Sequence, residues 1–182
     1  PLPISSEKVN ALDDVTGMIE HAIRDIQSLI FEISPPILYD LGLAPAVEWL
    51  LEQFHERHGF SFRFERNTIC EAFDMDIKVL LFHSIRELLI NVAKHAHTLE
   101  VCVEMKHVQS RFQVVVTDNG IGFEWKKNAA ASTRNGGFGL FSIDDRLDGI
   151  GGSMKIISHA GGGTKVILTV PVKRNKKRKK KT

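Results

Sequence analysis

Apolar residues in this chain recur at helical spacing in some segments and alternate in others. From Glu7 to Glu32, Val9, Leu12, Val15, Ile19, Ile23, Ile26 and Ile30 follow one another at steps of three and four, which lays a seam along one side of a long helix. A lone helix cannot bury such a seam, so a second copy of the chain or a further helix should cover it. Pro35-Pro36 stops this helix. Leu43 to His58 reads as another, with Trp49, Leu50 and Phe54 packing on a sheet. Met75 to Ala96 is a third, with Leu81, Ile85, Leu88 and Val92 on one stripe and Leu89, Ile90 and Ala93 widening the apolar arc. Phe60 to Arg66 alternates as a strand does, and so does Leu99 to His107 around Val101, Val103 and Met105. The β-branched run Phe112 to Val116 predicts a buried strand, Met154 to Ser158 and Lys165 to Val170 predict two more, and Phe141 to Leu147 is helical. No internal repeat occurs. The pattern predicts an α+β fold, with a layer of helices on one face of a mixed, mostly antiparallel sheet and a long helix in front.

Candidate chemistry gathers where these elements end. Thr117-Asp118-Asn119-Gly120-Ile121-Gly122-Phe123 follows the apolar strand and places one carboxylate before a turn with two glycines. A carboxylate only accepts hydrogen bonds, so a buried one beside flexible backbone suits a ligand that offers an amine, such as adenine. Asp-Asn-Gly also makes ordinary hairpin turns. The third helix carries a polar stripe of Ser84, Glu87, Asn91, Lys94 and His95, with Glu87, Asn91 and Lys94 or His95 on one side. A base, an amide oxygen for a hard cation and two cationic groups for phosphate meet the needs of a magnesium–nucleotide site, although a solvated helix face has the same composition. Gly136-Gly137-Phe138-Gly139-Leu140 opens a helix, where free N–H groups can seat phosphate oxygens. Gly161-Gly162-Gly163-Thr164 lies between two strand-like runs, as a plain hairpin turn also would. Neither the Gly-Lys-Ser/Thr phosphate loop nor the Gly-x-Gly-x-x-Gly dinucleotide fingerprint is present.

In this order and spacing, the four segments resemble the N, G1, G2 and terminal Gly-Thr boxes of the GHKL ATP-binding superfamily, which includes histidine kinases, DNA gyrase, the MutL repair proteins and heat-shock chaperone ATPases. Arg86-Glu87-Leu88-Leu89-Ile90-Asn91-Val92-Ala93-Lys94-His95-Ala96 resembles the N box of sensor histidine kinases of the NarX-like subgroup. Gly136 to Leu140, then Asp145-Arg146-Leu147 and Gly151-Gly152, resembles that subgroup's short lid and the helix after it. Ile33 to Leu38 and Leu41 to Ala46 look like the end of its dimerisation helix and the lead-in to its ATP domain. The resemblance runs from about Ile19 to Val172. It implies a two-layer GHKL sandwich over residues 37–172, part of a dimerisation helix over 1–36 and a basic tail over 173–182.

The resemblance also implies roles. Asn91 would ligate Mg²⁺, and Glu87 would be the catalytic base or the carboxylate that orients water and histidine. Lys94 and His95 would face the α- and β-phosphates. Asp118 would hold the exocyclic amine of adenine, with Gly120 and Gly122 letting backbone approach the base. Gly136, Gly139 and Leu140 would close over the triphosphate, and Thr164 would help Asp118 fix adenine through water. The implied reaction is transfer of the γ-phosphoryl group of ATP to a histidine, for relay to a response regulator, within a homodimer joined through the amino-terminal helix. An ATP-hydrolysing or serine-directed relative, or a non-catalytic nucleotide-sensing or dimerisation module, are the alternatives. The pattern departs from the subgroup in two places. His21 is followed by Ala22 rather than an acid, while His55-Glu56 has the acceptor dipeptide but follows the Pro35-Pro36 break, so this chain is expected to be a carboxy-terminal fragment whose phosphoacceptor lies elsewhere. Gly137 stands where relatives often carry a polar residue, and should loosen a lid formed by residues 128–135.

Composition narrows the setting. The chain has 182 residues, enough for one core with a helical appendage, and a 43% hydrophobic content. Cys70 and Cys102 lack disulfide or metal spacing, which suits a reducing, cytoplasmic setting, with membrane attachment arising only through segments outside this sequence or weakly through the tail. The net charge of +2 hides an asymmetry: without the eight basic residues between Lys173 and Lys181, Lys+Arg falls from 24 to 16 against 22 acids, leaving a body of charge −6. That acidic body argues against a dedicated nucleic-acid module. The tail reads as solvated and disordered, with weak attraction to anionic surfaces as the alternative.

Overall fold

Five strands, β1 (Ser61–Arg66), β2 (Glu100–Val108), β3 (Arg111–Asp118), β4 (Ser153–Ser158) and β5 (Thr164–Pro171), form one sheet in the order β1-β2-β3-β5-β4. β1 runs parallel to β2, and every other pair is antiparallel. This computed structural model describes residues 15–19, 36–67, 74–98, 100–125 and 138–172. Of the predicted amino-terminal helix, 15–19 is helical with Val15 and Ile19 exposed, and the remainder of that helix lies outside the described residues. So do the basic tail and the 128–135 lid.

The helices are α1 (Pro36–Asp40), α2 (Leu43–His58), α3 (Met75–Asn91) and α4 (Phe138–Asp148). α2 has the bounds its periodicity predicts. It ends because Gly59 turns left-handed (φ 72°) and returns its N–H to the His55 carbonyl at 2.8 Å. Pro36 begins α1, where its fixed φ suits a first turn and its missing N–H costs nothing.

One layer of helices covers one sheet face, as the alternation predicts. Val101, Val103 and Met105 of β2, Phe112, Val114 and Val116 of β3, and Val166, Leu168 and Val170 of β5 are buried on that face. They meet Leu81, Ile85, Leu88, Leu89 and Val92 from α3 and its continuation, and Leu43, Val47, Leu50, Leu51 and Phe54 from α2. Ile143 and Leu147, both fully buried, seat α4 on the same core. Ile143→Val, which removes one methylene from this seat, should cost about 0.5–1.5 kcal/mol in a denaturant melt. A loss within error of zero would mean that α4 is not packed here. No helix among the described residues is long and apolar enough to cross a membrane.

Two details differ from the sequence pattern. The third helix does not run as an α-helix to Ala96: after Asn91 it widens into a π-turn, Val92–Ala96, that ends at left-handed His97 (φ 52°). Ser84, placed on the polar stripe, is instead fully buried, and its hydroxyl donates to the Leu80 carbonyl at 2.8 Å. Back-bonding of this kind satisfies a hydroxyl inside an apolar arc.

Candidate functional site

Asp118 is the last residue of β3 and lies opposite Val101 of β2 and Thr164 of β5. Side chains alternate along a strand, so the row that buries Phe112, Val114 and Val116 also turns Asp118 inward, where it is 7% exposed. It accepts the Gly120 N–H at 2.9 Å and both the N–H and the hydroxyl of Thr164. Burial pushes its carboxyl above the ordinary value of 3.8 even though these hydrogen bonds favour the charged form. The result is an inward-facing carboxylate whose desolvation is not fully offset, and a ligand N–H donor would complete it.

The chain after Asp118 is pinned on two sides. Ile121 donates its N–H to the Ala96 carbonyl at 2.8 Å, tying the loop to the end of the π-turn. On the other side Gly161 donates to the Ile121 carbonyl at 2.7 Å, and Phe123 donates to the Ser158 hydroxyl at 2.9 Å, tying it to the β4–β5 hairpin. Both predicted loop glycines are required by this fit. A Cβ on Gly120 would run into the Ala96 carbonyl and side chain, and one on Gly122 (φ 58°) into the His159 and Gly163 carbonyls.

Glu87 and Asn91 lie four residues apart on α3 and are both half-buried. Lys94 and His95 follow in the π-turn and are exposed, so the widened backbone carries them into solvent at the same helix end that holds the Asp118 loop. Gly139, in the first turn of α4, packs so closely on Glu87 that a Cβ there would collide with the carboxylate. Leu140 is half-buried against the core. The fold therefore joins Asp118, Gly120, Gly122 and Thr164 in one cluster and Glu87 with Gly139 in another, with α3 and its π-turn spanning the two. Gly136 lies outside the described residues.

Two features of the site carry no recognisable sequence signal. One is the π-turn, which frees the Ala96 carbonyl for the loop. The other is Ser158, an ordinary strand residue by pattern, which sits at the junction of the loop, the hairpin and Thr164.

Comparisons with known proteins bear on this arrangement. A family described as histidine kinase-, DNA gyrase B-, and HSP90-like ATPase matches residues 76–174, which takes in α3, the Asp118 loop, α4 and the last two strands. Among curated proteins, the chain is 27% identical over 166 residues to the signal transduction histidine-protein kinase/phosphatase DegS of Brevibacillus brevis, covering 91% of this chain and 42% of that protein. It is 28% identical over 158 residues to the oxygen sensor histidine kinase NreB of Staphylococcus carnosus, covering 87% of this chain and 44% of that protein. The chain thus spans less than half the length of these relatives. Among solved structures it is similar in fold to the blue-light activated histidine kinase of Erythrobacter litoralis, with a TM-score of 0.59 at 16% identity over 74% of this chain and 43% of that one. The histidine kinase AdeS of Acinetobacter baumannii gives a TM-score of 0.59 at 11% identity over 95% of this chain and 88% of that one.

Proposed function

Because the chain belongs to the histidine kinase-, DNA gyrase B-, and HSP90-like ATPase family, we propose that it is the ATP-binding catalytic domain of a sensor histidine kinase, passing the γ-phosphoryl group of ATP to a histidine on a dimerisation helix for relay to a response regulator. The observation that carries this reading is the buried, strand-end Asp118 with Thr164 beside it and a glycine loop around it. Adenine offers an amine to such a carboxylate. Guanine offers a carbonyl there, which would leave a buried acceptor facing an acceptor and cost roughly 1–3 kcal/mol, about ten- to a hundred-fold.

The residues present suit a magnesium–nucleotide complex. Asn91 and Glu87 supply hard oxygen donors on one helix face, and no group of three or more His, Cys, Asp or Glu able to hold a metal occurs among the described residues. Mg²⁺ bound through substrate phosphates needs one or two protein oxygens rather than an all-protein cage. When bound, it would neutralise charge on the β- and γ-phosphates. Asn91 would hold it, Lys94 and His95 would meet phosphate oxygens from the solvent side, and Gly139 with Leu140 would bring the start of α4 over the triphosphate. Gly136 would extend that cover. Glu87 would orient the attacking imidazole or take its proton. Such a site works mostly by positioning, since phosphoryl transfer leaves little covalent work for the protein. The homodimer expected through the amino-terminal helix would bring the acceptor within reach.

The test is trans-phosphorylation. With labelled ATP, Mg²⁺ and a separate acceptor-helix domain, acid-labile phosphate should appear on the added domain and not on this chain. ATP uptake without transfer would point to a nucleotide-sensing module, and fast steady hydrolysis without transfer to an ATPase.

Asp118→Asn keeps the shape and one acceptor but removes the charge, about half the strength of such a bond, so ATP affinity should fall roughly ten-fold. The pH dependence follows from the same group. Its folded pKa is raised, so the ionised form is penalised by the fold: the cost is present above the folded pKa and disappears as pH falls through it and past 3.8. Calorimetric ATP affinity should therefore start to weaken at a pH above the ordinary aspartate range, and Asp118→Asn should flatten that limb. A parent profile flat to pH 4 would place no titrating carboxylate at the base.

A further inference from the structure

Ser158, Thr164 and Asp118 stand in one row across three strands. Ser158 is the register partner of Thr164 between β4 and β5, and Thr164 is the partner of Asp118 between β5 and β3. The Ser158 hydroxyl has three neighbours: it accepts the Phe123 N–H at 2.9 Å and lies 3.0 Å from both the Gly163 carbonyl and the Thr164 hydroxyl. A hydroxyl has one proton and two acceptor positions, so three contacts saturate it. Thr164 also has one proton, with Ser158 on one side and Asp118 on the other.

Two arrangements satisfy this proton count. In one, Ser158 donates to Gly163 and Thr164 donates to Ser158, which leaves Asp118 without the threonine proton. In the other, Ser158 turns its proton from the Gly163 carbonyl to the Thr164 oxygen, and Thr164 donates to Asp118. An ionised carboxylate accepts the stronger, charge-assisted bond and so selects the second. Ser158 thereby holds the Thr164 oxygen with its own proton and leaves the Thr164 proton to Asp118. Through Phe123 it also holds the loop that carries Gly120 and Gly122 over the Asp118 side of the site.

We infer that Ser158 is a positioning residue for the nucleobase: it orients the Thr164 hydroxyl toward Asp118 and fixes the facing loop, so that affinity for adenine in particular depends on a serine one strand away from the base. This rests on the ATP-binding reading above. Ser158 is a partly buried strand residue, and its own hydroxyl would not need to touch the ligand.

The test measures ATP and GTP affinities of the full chain with Mg²⁺ by titration calorimetry, with GTP read by competition where it is weak. Ser158→Ala should weaken ATP about ten-fold and GTP by less than about two-fold, narrowing the preference between them. Ser158→Thr and Ser158→Val form a matched pair of the same shape that differs in the hydroxyl, and both suit a strand. The threonine variant should bind ATP within about three-fold of the parent and the valine variant about ten-fold more weakly. Thr164→Val combined with Ser158→Ala should be little worse than the worse single variant, because the two act through one proton row. Equal ATP affinity in the threonine and valine variants, equal losses for ATP and GTP, or full additivity in the double variant would each overturn the inference and leave the ATP site standing. Failure of the parent to take up ATP would overturn the ATP reading itself, and this inference with it.

Discussion

Glu87→Gln is expected to slow phosphoryl transfer to an added acceptor-helix domain by about 10²- to 10⁴-fold, the range typical for losing a positioned base. ATP binding should stay within about three-fold of the parent, since an exposed-to-half-buried isosteric change rarely alters a site by more than a few tenths of a kcal/mol. The location of Glu87 makes this separation sharp. It is half-buried on α3, four residues before Asn91. It lies against Gly139, where a Cβ on the glycine would collide with its carboxylate. Glutamine has the same outline, so it keeps the contact with Gly139 and loses only charge and basicity. The size of the residual rate identifies which loss matters. If the carboxylate takes a proton, Glu87→Gln should fall to the far end of that range. If it holds the imidazole through a hydrogen bond, the amide oxygen can still accept that bond and retains part of the rate. A variant that transfers at the parent rate would remove Glu87 from the chemistry altogether.

How much of this could be read from the chain depends on whether a residue is fixed by local pattern or by a distant partner. Leu43 to His58 was legible because its apolar spacing and the following Gly59 agree, a case of periodicity and terminator pointing the same way. The inner faces of β2, β3 and β5 were legible for the same reason, and Asp118 was legible as an exception to its own row: a carboxylate at the next inward position after Phe112, Val114 and Val116. That β1 pairs with β2 in parallel is not legible in the chain, since alternation reports a strand but not its neighbour's direction. The stripe on the third helix was half legible. Glu87 and Asn91 hold their one-turn spacing, whereas Ser84 turns into the core because its hydroxyl can bond the Leu80 carbonyl, and Lys94 and His95 ride on a π-turn that a constant 3.6-residue period does not foresee. Ser158 was invisible because what distinguishes it, three hydrogen bonds to residues 5, 6 and 35 positions away, exists only after the sheet has assembled.

Gly120→Ala should be a severely damaging single methyl, acting through steric clash alone because Gly120, unlike Gly122, has no left-handed backbone to strain. The new Cβ would fall on the Ala96 carbonyl and side chain, and both belong to the closing residue of the π-turn, which is itself held by packing of Val92 and Ala96 in the core. Backbone of that kind cannot swing aside as a flexible side-chain end can. The loop must therefore back away, which breaks the 2.8 Å bond from Ile121 to Ala96 and pulls the Gly120 N–H from Asp118. Overpacking of about 3 kcal/mol is expected in an equilibrium melt. Loss of two hydrogen bonds that shape the base site should weaken ATP by roughly a hundred-fold. Gly149→Ala provides the control: it adds the same methyl beyond the end of α4, where the nearest atoms lie at 3.6 and 3.7 Å, and should change stability by less than about 0.5 kcal/mol and ATP affinity hardly at all. If Gly120→Ala melted and bound ATP like Gly149→Ala, the close seating of the Asp118 loop on the π-turn would be wrong, and with it the account of why a helix end, a strand end and a hairpin must meet for the base to be held.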